Sequence, residues 1–91
     1  MNINTLRDYY FYDFAEEHLG FSLKGSGRRA EIDRTNDNQV VLNIRRFTTS
    51  GDIHHDFIFT DEKCLYSRHY CKFEDITRYW KDFLLRFECG I

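Results

Sequence analysis

The chain has no proline in 91 residues, only five glycines, three cysteines, one methionine and one tryptophan. With no low-complexity run and no proline-rich stretch there is no visible linker, and a chain this short cannot divide into two cores, so residues 1–91 read as one domain. No segment approaches the ~20 consecutive apolar residues of a membrane span. The opening MNINTLRDYYFYDFAEE also lacks the basic and apolar regions of a signal peptide. The chain is therefore expected to be cytoplasmic. In that reducing setting the odd set Cys64, Cys71 and Cys89 is expected to consist of free thiols. The net charge of −2, from 13 basic and 15 acidic residues, excludes both the bulk positive charge of a typical nucleic-acid binder and the strong negative charge of a full DNA mimic.

What the chain does have is rings. Aromatic residues make up 18% of it, with nine Phe, six Tyr and one Trp. Each buried ring removes on the order of 150 to 250 Å² from water, which helps a small domain meet its conformational entropy cost and excludes disorder as the default state. The clearest pattern lies near the end: Phe73, Ile76, Trp80, Phe83 and Phe87 recur at helical spacing, predicting a helix from Phe73 to Phe87 with one apolar stripe. A first helix is predicted over Leu6–Leu19, with Thr5 as N-cap, Asp8 in the first turn and Gly20 as a left-handed C-cap. Its rings, Tyr9, Tyr10, Phe11, Tyr12 and Phe14, are too dense for a single stripe, so some must face outward, which would suit an interaction surface or a homodimer.

Between the helices the period falls to two. Arg29–Arg34, Val40–Phe47 and Ile53–Thr60 alternate in character and are separated by turn-forming stretches, Asn36-Asp37-Asn38 and Thr48-Thr49-Ser50-Gly51-Asp52. The expected core faces are Ala30 with Ile32, then Val40, Leu42 and Ile44, then Ile53, His55, Phe57 and Phe59. A short fourth strand is predicted over Cys64–Tyr70, with Cys64, Tyr66, Arg68 and Tyr70 on one face. The expected fold is α+β: a two-layer domain with a three- to four-stranded antiparallel meander between an N-terminal and a C-terminal helix.

Several constellations invite chemistry. His54, His55, Cys64, His69 and Cys71 are all zinc-ligand types on adjacent predicted strands, but the Cys-x4-His-x-Cys spacing is not that of a structural zinc turn, and no metal is expected. Cys71, with His69 two residues away and a helix N-terminus expected beside it, has the parts of a nucleophile pair. Glu74 and Asp75, placed in the first turn of the last helix, are explained by the helix dipole. Asp82 and the remaining carboxylates have no apolar setting that would tune them for acid–base work. Gly25-Ser26-Gly27 lacks the following Lys-Ser/Thr of a phosphate loop. No catalysis and no cofactor are expected.

Binding is left. Arg28, Arg29 and Arg34 on one strand and Arg45 and Arg46 on its neighbour, together with Tyr66 and Tyr70, have the mix of cations and rings that holds single-stranded nucleic acid, with Glu31, Asp33 and Asp56 interleaved as pairing partners. In its opening Met1-Asn2-Ile3-Asn4, its length and its helix, three-strand, helix order, the chain resembles the small phage-borne inhibitors of bacterial defence known as anti-CRISPR proteins. The resemblance implies a non-enzymatic protein from a phage or mobile element that blocks a host protein or protein–nucleic acid complex, such as a Cas effector, in the host cytoplasm. Its contacts to a basic nucleic-acid channel would be Asp13, Glu16 and Glu17 on the first helix and the Asp61-Glu62 turn. Arg28, Arg29, Arg45 and Arg46 depart from a DNA-mimic surface.

Overall fold

Alternation along consecutive segments separated by short polar turns lets each strand fold back on the one before it. The computed structural model describes residues 2–36 and 38–89, with side chains through Arg86. A 3₁₀ turn at Ile3–Thr5 precedes helix α1 (Asp8–Leu19); strands β1 (Arg28–Asn36), β2 (Gln39–Thr48), β3 (Gly51–Thr60), β4 (Cys64–Arg68) and β5 (Glu74–Asp75) follow, and helix α2 (Thr77–Cys89) closes the order. The five strands form one antiparallel meander in the order β1-β2-β3-β4-β5. The α+β class is as expected from sequence; the fifth strand is not.

The differences have local causes. Thr5 does not cap α1: its hydroxyl donates to the Asn2 carbonyl within the 3₁₀ turn, and the helix starts after extended Arg7. Its other end is as expected, with Gly20 left-handed at φ 82° and its N–H donating to the Glu16 carbonyl. At the C-terminal helix, Phe73 to Ile76 are withheld from the helical run. Glu74 and Asp75 pair with Tyr66 and Leu65 at the free edge of β4, and the Ile76 N–H donates to the Cys64 carbonyl. The Asp75 carboxylate then accepts from both the Thr77 N–H (3.0 Å) and the Thr77 hydroxyl (2.5 Å), and that hydroxyl accepts from the Cys64 N–H. Edge pairing and a carboxylate cap together fix the start of α2 at Thr77. Phe73 is consequently outside the stripe and exposed. Asp37 and the side chains of Phe87 and Cys89 lie outside the described residues.

The helices share one face of the sheet. In register, that face carries Ala30, Ile32, Val40, Leu42, Ile44, Phe57, Phe59, Cys64 and Tyr66. Phe11 and Phe14 of α1 and Trp80 and Phe83 of α2 close onto it, all buried. Ring centroids are 4.7 Å apart for Phe11–Phe59 and for Phe59–Trp80, and 5.2 Å for Phe14–Trp80. These are offset and edge-on arrangements that add to the area they bury. Outside the core, the Arg86 guanidinium forms a bidentate pair with the Glu17 carboxylate, joining the helices. Arg34 donates to Asp8 and to the Leu6 carbonyl, tying β1 to the entry of α1. No described helix is long and apolar enough to cross a membrane.

Candidate binding surface at one end of the sheet

An antiparallel meander brings the start of β1, the end of β2, the start of β3 and the end of β4 to the same end of the sheet. That end is basic. It collects Arg28, Arg29, Arg45, Arg46 and Arg68, along with His54, His55 and His69, in paired rows: Arg28 opposite Arg46, Arg29 opposite Arg45, Arg45 opposite His54, His55 opposite Arg68. Asp52 is the carboxylate that answers most directly, at 4.0 Å from Arg45. Among the described residues Arg29, Arg46 and Arg68 have no ion-pair partner.

Strand alternation divides this set between two faces. Arg29 and Arg45 stand on the open face, with His54, Asn43 and Glu31 around a shallow recess of about 110 Å³. Phe47, exposed, lies under the Arg45 guanidinium at 5.9 Å. Beside them the chain turns sharply: the Cys71 N–H donates to the Arg68 carbonyl, and both residues between, His69 (φ 51°) and Tyr70 (φ 63°), are left-handed. Neither is a glycine, so the turn holds strain that its surroundings must sustain. The Ser67 hydroxyl donates to the Cys71 carbonyl and the His69 N–H to the His54 carbonyl, pinning it on both sides. The result presents Tyr70, 71% exposed, with its ring 4.7 Å from that of His54.

Arg28, Arg46, Tyr66 and Arg68 go to the other face, the one the helices cover. From sequence, several of these arginines could share an open-face patch with Tyr66 and Tyr70; the period of two divides the set instead, because neighbours in sequence point oppositely. Nor does Tyr70 share a face with Tyr66, since β4 ends at Arg68 and the left-handed turn intervenes. Arg28 and Arg46 instead bracket the Phe21 ring, at 5.3 and 5.0 Å. Below them His55, buried, shares a 2.8 Å hydrogen bond between Nδ1 and the Tyr66 hydroxyl. Burial first, and then the charges of Arg46 and Arg68 with His54 and His69, hold its imidazole down at about 4. His18 is lowered likewise by burial, against the opposing pull of Glu74.

The other candidates are dispersed. Cys64 is fully buried in the core, where desolvation pushes its thiol far up, and Cys71 is exposed in the turn, six residues before α2 rather than at its N-terminus. His54 and His55 point to opposite faces. No three His, Cys, Asp or Glu among the described residues converge on a cation position. Of the acidic set, Glu16 accepts from the Leu23 N–H, Asp61 from the Ile3 N–H, and Glu17 is taken by Arg86. The Asp13 and Glu62 side chains are exposed and have no hydrogen-bond or ion-pair partner among the described residues. Asp13 lies with Tyr9, Tyr12, Glu16 and Leu23 along a groove beside α1, and Glu62 at the β1–β2 turn end of the sheet, beside Asn38 and Gln39. The two acidic clusters therefore line separate recesses.

Sequence reasoning missed the polar cluster on the helix side, although the signal was present: Arg46, His55 and Arg68 continue the inward phase of Ile44, Phe57 and Tyr66. Comparison with protein-family models, with curated proteins and with solved structures finds no match.

Proposed function

We propose that this is a non-enzymatic binding module that holds single-stranded nucleic acid on the open face at the basic end of its sheet. The observation that supports this reading is the juxtaposition there of Arg29, Arg45 and His54 with the exposed rings of Phe47 and Tyr70. Cations meet the backbone phosphates, and flat rings accept unstacked bases without reading their sequence. The charge is local rather than global, which reconciles it with a net charge of −2. Fluorescence anisotropy with a labelled oligonucleotide tests it. Binding should weaken steeply with salt and disappear in the Arg29→Glu, Arg45→Glu double variant; absence of binding even at low salt rejects the reading.

A second reading is supported by the groove beside α1, where half-exposed Tyr9 and partly buried Tyr12 stand with Asp13 and Glu16. Tyrosines flanked by carboxylates suit a basic protein surface. On this reading the chain is a phage or mobile-element inhibitor acting in the host cytoplasm on a nucleoprotein complex, in the manner of an anti-CRISPR protein. Charge reversal is most decisive at Asp13 and Glu62, because Glu16, Glu17 and Asp61 already accept hydrogen bonds within the fold. Unchanged protection of an invading plasmid from a Cas effector after both reversals would remove this version.

A further inference from the structure

On the helix-covered face, where α1 stops at Gly20 and the sheet runs on, His18, Leu19, Phe21, Arg46, His55, Tyr66 and Arg68 surround an open-mouthed recess of about 320 Å³. We propose that this recess is a binding site for a phosphate group, held between the Arg46 and Arg68 guanidiniums with the His55 imidazole at its floor.

Three independent features carry the assignment. The first is an excess of positive charge: both arginines lack an ion-pair partner among the described residues, and the carboxylate whose charge reaches His18 and Tyr66, that of Glu74 opposite Tyr66, is not among the residues lining the recess. The second is an orphan at the floor. His55 is 3% exposed, and its Nε2 is buried with no hydrogen-bond partner, as is the Nε of Arg46. The Nε of Arg28 and the Nε1 of Trp80 are unpaired as well, but Arg46 and His55 both line this recess, and since a buried polar atom left unpaired costs on the order of 1 to 3 kcal/mol, a ligand acceptor brought against them would relieve that cost. The third is the tautomer that the neighbouring bond allows. With the Tyr66 hydroxyl donating to Nδ1, Nε2 carries the proton and the imidazole is a neutral donor there.

The shape narrows the ligand. Arginine forks match phosphate oxygens two at a time, and the Phe21 ring under Arg46 limits the swing of one fork. The recess is larger than a phosphate alone, leaving room at its mouth for whatever carries the group. Two sources share this chemistry: a free phosphate or mononucleotide, and the terminal phosphate of a strand lying on the same end of the sheet. Only the second rests on the nucleic-acid reading above.

Nuclear magnetic resonance titration with inorganic phosphate is the direct test, following the His55 ring and the Arg46 and Arg68 side chains. Saturable shifts confined to these residues, with the His55 titration moved upward by bound phosphate, are expected. Arg68→Gln should weaken binding at least about tenfold, as loss of a charged hydrogen-bond pair requires. Arg68 is exposed, so this variant keeps its fold even where Arg46→Gln, which unstacks Phe21, does not. Shifts that grow linearly without saturating, or that are unchanged by Arg68→Gln, overturn the site. A matched pair of oligonucleotides, one with a 5′-phosphate and one with a 5′-hydroxyl, separates the sources. A preference for the phosphorylated strand that Arg68→Gln abolishes assigns a strand end; equal affinity for the pair together with saturable phosphate binding assigns a free ligand. Arg29→Glu with Arg45→Glu lowers affinity for both strands and leaves the phosphate titration intact, so failure of the open-face reading and failure of this one give different results.

Discussion

Two stretches of the same sheet face, a few residues apart on the same strands, have opposite characters. Under the helices β2 contributes Val40, Leu42 and Ile44, β3 contributes Phe59 and Phe57, and β4 contributes Cys64, all fully buried among the rings of Phe11, Phe14 and Trp80. One step further in the same inward phase come Arg46, His55 and Arg68, where α1 is ending and His18, Leu19 and Phe21 reach over. Alternation does not change at this boundary; cover does. A strand longer than the helices that pack on it must place something at its inward positions beyond them. This chain places cations and a buried imidazole there, so the polar surface begins where the apolar core ends.

That contrast can be broken most severely from its apolar side. Replacing Trp80, which touches Phe11, Phe14, Phe59 and Phe83 at once, by alanine should destabilise the domain by about 3 to 5 kcal/mol in urea unfolding, because the surrounding rings cannot all collapse into the space. A loss under about 1 kcal/mol would show that the helices do not own this face. Acid attacks the polar side. In the unfolded chain His55 titrates near 6.5, whereas the fold holds it at about 4, so as pH falls the unfolded state takes up the proton first. Stability is complete above about pH 6.5 and declines between there and about pH 4, by up to about 3 kcal/mol; His18 adds a change of the same sign. Urea unfolding across that window, compared with His55→Asn, isolates the effect; equal slopes for the two proteins would contradict it.

Smaller effects sharpen the boundary. On the open face, Phe47→Ala and Tyr70→Ala should each reduce oligonucleotide affinity by about 1 to 3 kcal/mol, the usual loss of a stacking platform, without altering the unfolding midpoint. Anisotropy titrations that show no change would assign those rings to another role. Smallest is Glu17→Gln, which removes the exposed bidentate pair with Arg86 and should lower stability by less than about 1 kcal/mol, an effect that added salt erases. A larger loss would mean that the helices rely on each other more than on the sheet.

The architecture was legible in the sequence to the extent that periodicity alone decides it. Alternation in Val40–Phe47 and Ile53–Thr60 located β2 and β3 within a residue or two, and Gly20 marked the end of α1, because each depends on nearest neighbours only. The start of α2 was not legible. Phe73 and Ile76 are in helical phase with Trp80, and only pairing with Leu65 and Tyr66, together with the Cys64 hydrogen bonds to Ile76 and Thr77, draws Glu74 and Asp75 away into β5. The basic residues were all visible, but not their division between faces, since reading Arg28-Arg29 and Arg45-Arg46 as pairs ignores the pleat. The left-handed turn at His69-Tyr70 carried no signal, because neither residue type favours positive φ as glycine does.

The contacts of Phe14 also set an order of events. This ring lies early in the chain, yet the rings it packs against, Phe57, Phe59, Trp80 and Phe83, emerge from the ribosome long after it. The meander can pair strand by strand as it is made, since each strand needs only its predecessor. Helix α1 cannot settle until β3 exists, and its face stays bare toward Trp80 until α2 is complete. Of the elements of this fold, α2, the one made after all the others, is thus the one that closes the core.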